Sequence, residues 1–187
     1  MAAAGAVADR RQARRPAVPE RSHWYPAYVG LGSNLDRPAG RVREALRALT
    51  TLPHTRVVAA SRLYDAAPVG FLDQPPFVNA AAAVITRLAP AALHESLMAL
   101  ERQLGKAPPS VRFGPRRIDL DLLAYSDLVL AEPALTVPHP RLHERAFVLY
   151  PLNDIAPALW LPGRGRVATL ARAVDGSGVS LAAGEIE

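Results

Sequence analysis

The sequence predicts an α+β fold, an antiparallel sheet with packed helices, and three observations support that class. Apolar and polar residues alternate over 117–122, as they do in a half-buried strand. Leu93, Leu97 and Leu100 recur at the spacing of one helical face. Proline and glycine interrupt the chain between such segments, as in the predicted loop over 65–76. With 187 residues and 50% hydrophobic composition, the chain is long enough for one domain with a substantial core.

Four principal strands are predicted from short runs of branched, aromatic and small apolar residues that end at turn residues. The first ends at Gly32, and the third begins directly after Pro76. After a turn at Ser126, a short strand is predicted to return antiparallel over 128–130. The four principal strands are predicted over 27–31, 57–64, 77–86 and 116–125.

Two principal helices are predicted between these strands. A proline in the first turn supports a helix over 38–51. Pro90 opens a second helix, which Gly105 closes. The resulting order, β-α-β-β-α-β, is the ferredoxin-like pattern, an antiparallel sheet with helices on one face. Two shorter helices are predicted over 166–173 and over 144–150, the latter ended by Pro151.

The chain is predicted to form a single domain over 27–175. Residues 1–26 are rich in Ala, Arg and Pro without hydrophobic periodicity, which predicts a disordered extension. This extension lacks the apolar segment of a secretory signal, while an organelle transit peptide stays open as an alternative. Residues 176–187 are predicted to be a weakly ordered end.

Composition and charge exclude several classes of function. The chain has no cysteine, which excludes disulfides and is compatible with the reducing cytoplasm, where we expect the protein. No run approaches the about 18 apolar residues of a membrane-spanning helix, so no membrane is expected. Residues 1–27 carry five arginines against two acidic residues and so hold +3 of the net charge of +5. The body is not strongly basic, and with only 6% aromatic residues an RNA-binding sheet is disfavoured, so nucleic acid is not an expected partner.

Asp119 and Asp121 are the most informative residues of the chain. In a strand, side chains two positions apart share a face and lie about 6.5–7 Å apart. Two like charges that close repel each other unless cations neutralise them. Mg²⁺ binds through one or two carboxylates plus substrate phosphates, and the neighbouring Arg112, Arg116 and Arg117 suit phosphate oxygens. The pair therefore predicts metal-assisted phosphoryl-type transfer, with a solvated strand face as the alternative.

The Gly-Ser-Asn run after the first predicted strand invites comparison with a phosphate-binding loop. Its spacing is not G-x-x-x-x-G-K-[ST], and it has no lysine. We therefore expect a tight strand-to-helix turn in which Ser33 or Asn34 serves the start of the next helix.

Six groups of residues, read in order, resemble the motifs of one family. The family is 6-hydroxymethyl-7,8-dihydropterin pyrophosphokinase, an enzyme of folate biosynthesis, and the resemblance spans about residues 28–160. Several motifs in the right order are far more specific than any one of them. They are GLGSNL at 30–35, SRLY at 61–64, PVGFLDQPPFVN at 68–79, FGPRRIDLD at 113–121, VPHP at 137–140, and RAFVL, PL and IAP between 145 and 157.

The resemblance implies that ATP gives its β,γ-pyrophosphoryl group to the hydroxymethyl oxygen of the pterin and that AMP is released. Asp119 and Asp121 would hold two Mg²⁺ ions, and Asp121 could also help to draw the proton from the attacking hydroxyl. The other implied positions at ATP are Arg112, Arg116 and His139 near the phosphates, Lys106 and Arg145 around the nucleotide, Glu101 at the ribose hydroxyls and Thr136 beside the adenine.

The pterin is a flat ring with an amide-like edge, which needs aromatic faces and a hydrogen-bonding group. By the resemblance, Phe77 and Phe147 supply the faces. Asn79 shares a strand face with Phe77 and offers both a donor and an acceptor. The backbone of Ala66, Pro68 and Val69 would complete the rim.

These implied roles have plainer alternatives. His139 could be a corner histidine bonded to backbone, Glu101 or Arg145 an exposed helix charge, and each phenylalanine a core residue. Several family positions also differ, since Lys106 and Pro108 stand where arginines are usual, Met98 where glutamine is, Phe113 where tryptophan is and Ala66 where threonine is. The alternative function is therefore a catalytically impaired pterin- or nucleotide-binding module. The expected partners are ATP and the pterin, and the expected state is a monomer.

Overall fold

The computed structural model describes residues 20–107 and 114–183. The described chain contains four α-helices, a short 3₁₀ turn at Leu142–Glu144 and ten strands. The helices are α1 Pro38–Leu49, α2 Pro90–Gln103, α3 Ala146–Ile155 and α4 Val167–Ala173. The strands are β1 Glu20–Ser33, β2 Thr55–Ala60, β3 Tyr64–Ala66, β4 Phe77–Leu88, β5 Asp119–Tyr125, β6 Leu130–Glu132, β7 Leu135–Val137, β8 Trp160–Leu161, β9 Gly165–Arg166 and β10 Val179–Leu181.

Helices lie between the strands of the main sheet along the chain, and every described pairing of those strands is antiparallel. Strand β1 lies at its centre, between β4 and β5. Strand β4 is long enough to pair with β2 near one end and with β3 near the other. The last strand, β10, pairs with β3, while β6 with β7 and β8 with β9 form two separate hairpins. The α+β class predicted from the sequence is therefore confirmed.

The two faces of the main sheet are covered differently. On one face, α1 and α2 pack against alternate apolar residues of the central strands, such as Val29, Leu31 and Leu120. On the other face, α3 and α4 cover a part of the sheet around Ala81 and Leu123. The expectation of helices on one face is thus wrong for α3 and α4, because Leu149, Leu152 and Val167 give them an apolar stripe of their own. None of the helices in the described part of the chain has the length and apolar character needed to cross a bilayer.

Strand β1 begins at Glu20, inside the segment that the sequence predicts as a disordered extension over 1–26. Trp24 explains part of this difference, because its ring lies 4.8 Å from the guanidinium of Arg56 and 5.1 Å from that of Arg87. Tyr25 also stacks on Tyr125, with ring centroids 5.9 Å apart. These contacts and the pairing with β4 hold 20–26 in the sheet, and residues 1–19 lie outside the described residues.

Other elements differ from expectation in extent or in pairing. The strand predicted over 57–64 is two strands, β2 and β3, because Arg62 leaves the sheet to bind Asp154. The strand predicted over 128–130 does not return on β5, since Leu130–Glu132 pairs with β7 instead. Helix α3 continues through Pro151 to Ile155.

The end predicted to be weakly ordered, 176–187, contains a strand. Val179, Ser180 and Leu181 pair with Ala66, Asp65 and Tyr64 at the edge of the sheet. The residues after 183 lie outside the described part of the chain.

Candidate active site

The candidate site lies on the second face of the sheet, in the part that α3 leaves open. Two glycines of β1 form its floor: Gly32 pairs with Asn79 on one side and Asp119 on the other, and Gly30 pairs with Asp121. A Cβ at Gly32 would lie 3.0 Å from the Asn79 Oδ1. The glycines therefore leave depth where any side chain would fill it, and a cavity of about 370 Å³ opens above them.

The cavity brings together most residues that the sequence predicts for substrate binding. Ala66, Val69, Phe77, Asn79, Arg116, Asp119, Asp121, Arg145 and Phe147 all line it. The described lining does not include Pro68, Glu101, Lys106, Thr136 or His139. Arg112 belongs to the segment 108–113, which lies outside the described residues together with Pro108 and Phe113.

The two aspartates share one face of β5, as the alternation predicts, but their surroundings differ. The Asp119 Oδ1 accepts a hydrogen bond from the Lys106 Nζ at 2.5 Å, and its Oδ2 accepts one from the Arg116 Nη1 at 2.7 Å. Burial opposes ionisation of Asp119, but the charges and hydrogen bonds of Lys106 and then Arg116 outweigh it and lower the pKa of this carboxyl. Asp119 is therefore an anion whose two oxygens are already neutralised.

Asp121 has the opposite electrostatic environment. Among the described residues, no hydrogen bond or ion pair reaches its carboxylate at the distances that define one. Burial, followed by the negative charge of Asp119, raises the pKa of Asp121 to about 6. The pair thus holds one carboxylate that two cationic side chains already neutralise and one whose ionisation a bound cation would favour.

Glu101 anchors Lys106 beneath the aspartates. The Glu101 Oε1 accepts a hydrogen bond from the Lys106 Nζ at 2.7 Å and another from the backbone N–H of Leu120 at 2.6 Å. Burial raises the pKa of Glu101, against the hydrogen bonds from Lys106 and Leu120. The side chain is buried and points at β5, so its predicted role at the ribose stays a prediction.

Arginines form the basic wall of the cavity. The Arg116 guanidinium lies 5.7 Å from the ring centroid of Phe77, and that of Arg145 lies 5.5 Å from the ring centroid of Phe147. Arg141 also lines the cavity, at a position that the sequence patterns did not predict. Its place beside the V-P-H-P corner, only four residues before Arg145, was the available signal. The wall can bind several anionic oxygens bidentately.

His139 lies behind this wall at the turn that follows a cis Val137–Pro138 peptide bond. Its backbone N–H donates to the Leu123 carbonyl at 2.8 Å, and its Nδ1 accepts from the Arg141 backbone N–H at 3.3 Å. Burial, then the charges of Arg145 and Arg141, lowers the pKa of His139 to about 4, so the ring is neutral at neutral pH. Thr136 lies in β7, opposite Ala131.

Asn79 is the polar residue among the aromatic ones. It is 7% exposed, and its buried Nδ2 has no hydrogen-bond partner among the described residues. A buried donor without a partner costs free energy unless a ligand supplies the acceptor. With Phe77 two residues earlier on the same strand face, Asn79 can read the polar edge of a flat ring.

Ser33 and Asn34 hold the loops of the site together rather than starting a helix. The Asn34 Nδ2 donates to the Gln74 Oε1 at 3.0 Å and to the Pro75 carbonyl at 3.1 Å, while its Oδ1 accepts from the Arg116 backbone N–H at 2.8 Å. Ser33 donates to the carbonyl of Arg117 at 2.7 Å. Helix α1 has no side-chain cap, so the expected capping role is wrong.

Asp154 fixes the helix that carries Phe147. Its two oxygens accept hydrogen bonds from the Arg62 guanidinium at 2.6 and 3.0 Å and from the Tyr64 hydroxyl at 2.9 Å. Burial is outweighed by these hydrogen bonds, so the pKa of Asp154 lies below its usual value. The S-R-L-Y motif therefore joins β3 to α3, which is a role that no spacing in the sequence revealed.

The carboxylate pair fits a hard dication whose remaining ligands come from a substrate. In the described part of the chain, no cluster of three or more His, Cys, Asp or Glu side chains could hold a metal ion alone. Two carboxylates plus phosphate oxygens are the ligand set that Mg²⁺ takes in phosphoryl-transfer sites. Asp121, which forms no ion pair with any described residue, would supply negative charge to such an ion.

Comparisons with known proteins agree with this geometry. A family model described as 7,8-dihydro-6-hydroxymethylpterin-pyrophosphokinase (HPPK) matches residues 28–157. A relative from Pseudomonas aeruginosa named 2-amino-4-hydroxy-6-hydroxymethyldihydropteridine pyrophosphokinase is 46% identical over 152 residues, covering 81% of this chain and 93% of the relative. A protein of the same name from Methylorubrum extorquens is 42% identical, covering 82% of this chain and 96% of the relative.

A solved structure shares the fold at low sequence identity. The crystal structure of Plasmodium falciparum HPPK-DHPS wild type with pterin and p-hydroxybenzoate matches with a TM-score of 0.65 at 15% identity. The match covers 82% of this chain but only 42% of that chain, so this chain spans less than half of the solved protein. From the family model and the relatives, we conclude that the chain belongs to the 7,8-dihydro-6-hydroxymethylpterin-pyrophosphokinase family, which confirms the resemblance of its sequence motifs.

Proposed function

We propose that the protein transfers the β,γ-pyrophosphoryl group of ATP to the hydroxymethyl oxygen of 6-hydroxymethyl-7,8-dihydropterin, giving AMP and the pterin diphosphate in folate biosynthesis. Membership of the family carries the reaction class and ATP as co-substrate. The structural observation that supports it most is the single cavity face shared by Asp119, Asp121 and Asn79. That face offers two carboxylates that can bind a metal ion beside an amide that can form hydrogen bonds with the edge of a pterin ring.

Asp119 and Asp121 are the residues that would hold magnesium, for which we propose two ions. When bound, Mg²⁺ neutralises the negative charge of the triphosphate and of the transition state. The Asp121 carboxylate forms no ion pair with any described residue, whereas the Asp119 carboxylate accepts hydrogen bonds from Lys106 and Arg116.

The arginines would bind and orient the triphosphate. Arg116, Arg141 and Arg145 line the cavity beside the carboxylates, and Arg112 is proposed to join them from the segment outside the described residues. His139 is neutral at neutral pH, and its Nδ1 accepts a hydrogen bond from the Arg141 backbone, so its Nε2–H would donate to a phosphate oxygen without adding charge. The roles of Glu101 at the ribose and Thr136 at the adenine remain predictions.

The pterin would lie against Phe77 and Phe147, with its amide-like edge toward Asn79. Each phenylalanine also contacts an arginine, so the stacked pterin ring and the basic wall would be adjacent. Ala66 and Val69 line the cavity, in agreement with a rim at the end of β3. We propose that Asp121 also helps to draw the proton from the attacking hydroxyl, since its carboxylate lines the cavity together with Phe77 and Asn79.

We also propose that the core of the fold is ferredoxin-like. The order β2-β4-β1-β5, with α1 and α2 between consecutive core strands, supports this topology. Strands β3 and β10 would then be additions at the edge of the core. A monomeric state and a cytoplasmic location remain predictions.

The test is to incubate the full chain with ATP, Mg²⁺ and 6-hydroxymethyl-7,8-dihydropterin and to measure AMP. We expect AMP release that requires the pterin, is abolished by chelation of the metal and is lost in Asp119→Asn. Asp127→Asn, in the exposed turn after β5, is the matched control and should behave as wild type. Binding of both substrates without AMP release would instead favour the catalytically impaired binding module.

A further inference from the structure

Lys106 occupies the position on Asp119 that a metal ion would need. Its ammonium group lies 2.5 Å from the Asp119 Oδ1, and the Arg116 Nη1 lies 2.7 Å from the other oxygen. Both oxygens of this carboxylate are therefore paired with cations of the chain itself. Asp121, two residues away on the same face, has no such partner among the described residues.

Glu101 gives Lys106 a second, fixed partner. The Lys106 Nζ lies 2.7 Å from the Glu101 Oε1, and that oxygen is itself held by the Leu120 backbone N–H. The Glu101 side chain is only 7% exposed, whereas that of Lys106 is 28% exposed. The lysine can therefore leave Asp119 and turn outward while it keeps its bond to a carboxylate that cannot follow.

We propose that Lys106 is a positioning residue that covers Asp119 until a nucleotide is bound and so makes metal binding depend on the nucleotide. The proposal rests on the function proposed above. Lys106 would leave the Asp119 Oδ1 because an ammonium group and a dication repel each other on one oxygen. The triphosphate would then give Lys106 a new anionic partner.

The type of side chain matters for this exchange. An ammonium group is a compact charge with three rotatable donors on a flexible stem, whereas a guanidinium is a rigid fork. Lys106 can keep Glu101 with one donor and change the partner of another. By linkage, if Lys106 makes the nucleotide tighten metal binding, the metal must tighten nucleotide binding by the same factor.

The first experiment measures Mn²⁺ affinity of the full chain without pterin, with and without a non-hydrolysable ATP analogue. Without nucleotide, Lys106→Met should bind Mn²⁺ about tenfold more tightly than wild type, and the tightening caused by the analogue should shrink accordingly. Lys106→Arg keeps the charge but not the flexible ammonium group, so it should bind Mn²⁺ as weakly as wild type without nucleotide and show less tightening with the analogue. Arg102→Met, which removes an exposed cation from the same end of α2, should leave the Mn²⁺ affinity unchanged.

The second experiment uses the fact that Lys106 is the only lysine of the chain. Wild-type protein labelled with lysine that carries ¹³C at Cε alone should give one side-chain resonance. We expect that resonance to shift when Mg²⁺ and the analogue are added together and to shift much less with Mg²⁺ alone. This experiment needs no variant, so it holds even if Lys106→Met folds poorly.

Defined outcomes overturn the proposal. They are an unchanged Lys106 resonance in the ternary complex, or Mn²⁺ binding by Lys106→Met that is no tighter than wild type, including the case in which neither binds detectably. A gain that persists when Asp121→Asn is added would also overturn it, because the ion would then lie elsewhere. Lack of pterin-dependent AMP release by wild type would reject the proposed function instead, since neither experiment contains pterin.

Discussion

The two faces of the main sheet are formed by the same strands, but one face packs against helices and the other lines the cavity. Toward α1 and α2, the central strands present Val29, Leu31 and Leu120, and the face is closed. Toward the cavity, the same strands present Gly30, Gly32 and polar side chains, and the face is open. Because side chains alternate along a strand, neighbouring residues serve either stability or binding. A substitution should therefore affect either stability or substrate binding and spare the other, according to which face of the sheet its side chain lies on.

The largest effect is expected on the open face, from Asp121→Asn. Loss of the carboxylate that no cation among the described residues contacts should lower kcat by on the order of 10³, as loss of one electrostatic group at a reacting centre does. Stability should not fall, because the change removes a buried charge. AMP release and urea unfolding measure the two properties, with Asp127→Asn as control. A rate within tenfold of wild type would contradict the assignment.

The same variant separates two roles of Asp121. If its main role is to accept the proton, Mn²⁺ affinity in the presence of the ATP analogue should be retained while the rate is lost. If it is mainly a metal ligand, the affinity should fall together with the rate. Isothermal titration of the variant decides between them.

On the closed face, Leu97→Ala should destabilise the protein without changing its chemistry. Leu97 is fully buried in α2, so the free energy of unfolding should fall by about 2–5 kcal/mol. The neighbouring Met98 is 41% exposed, and Met98→Ala is the matched control, with an expected loss under about 1 kcal/mol. Equal losses in the two variants, or a lower kcat per folded molecule in Leu97→Ala, would break the division between the faces.

The contribution of Asp121 to stability should depend on pH, unlike that of the apolar residues on the closed face. Its pKa rises from 3.8 to about 6 on folding, so its contribution to stability is fully present below about pH 4 and is lost as the pH rises through 6. The loss corresponds to about 3 kcal/mol at most. In chelated protein, Asp121→Asn should therefore gain stability over wild type between pH 4 and 7. Asp119→Asn should lose stability relative to wild type over that range, because the pKa of Asp119 is lowered.

The smallest effect is expected from Asn79→Leu. The Nδ2 has no partner in the described structure, so stability should change little, while pterin should bind about 10–100-fold more weakly for want of its edge contacts. Val78→Ala is the matched change on the opposite face, and it should lower stability by about 1–3 kcal/mol with unchanged pterin affinity. Calorimetry with the pterin and urea unfolding test the pair. An Asn79→Leu protein that binds pterin normally would show that the ring lies elsewhere.

Local patterns predicted the parts of the molecule that depend on neighbours in sequence. The period of two placed Asp119 with Asp121 and Phe77 with Asn79 on shared faces, and prolines marked the starts of α1 and α2. Contacts between distant residues were not predictable in this way. Trp24 joins the sheet because Arg56 and Arg87 flank it, and no local signal in residues 20–26 reveals those partners.

The same limit applies to the site. Lys106 was expected at the nucleotide, but its bond to Asp119 depends on how α2 ends against β5. Arg62 and Asp154 meet across 92 positions in sequence, so their ion pair could only be seen in the folded chain. Motif order identified the family, and the tertiary structure was needed to show which charges neutralise each other.

Asn34 has a consequence for how the cleft can move. The Asn34 side-chain amide is bonded to the segment at Gln74 and Pro75, near the proposed pterin rim, and to the backbone N–H of Arg116, in the basic wall of the cavity. The segment at Gln74 and Pro75 and the segment at Arg116 are therefore joined through one side chain at the end of β1. A substrate that moves one of these segments will also move the other, so the first substrate to bind can change the shape of the binding site for the second.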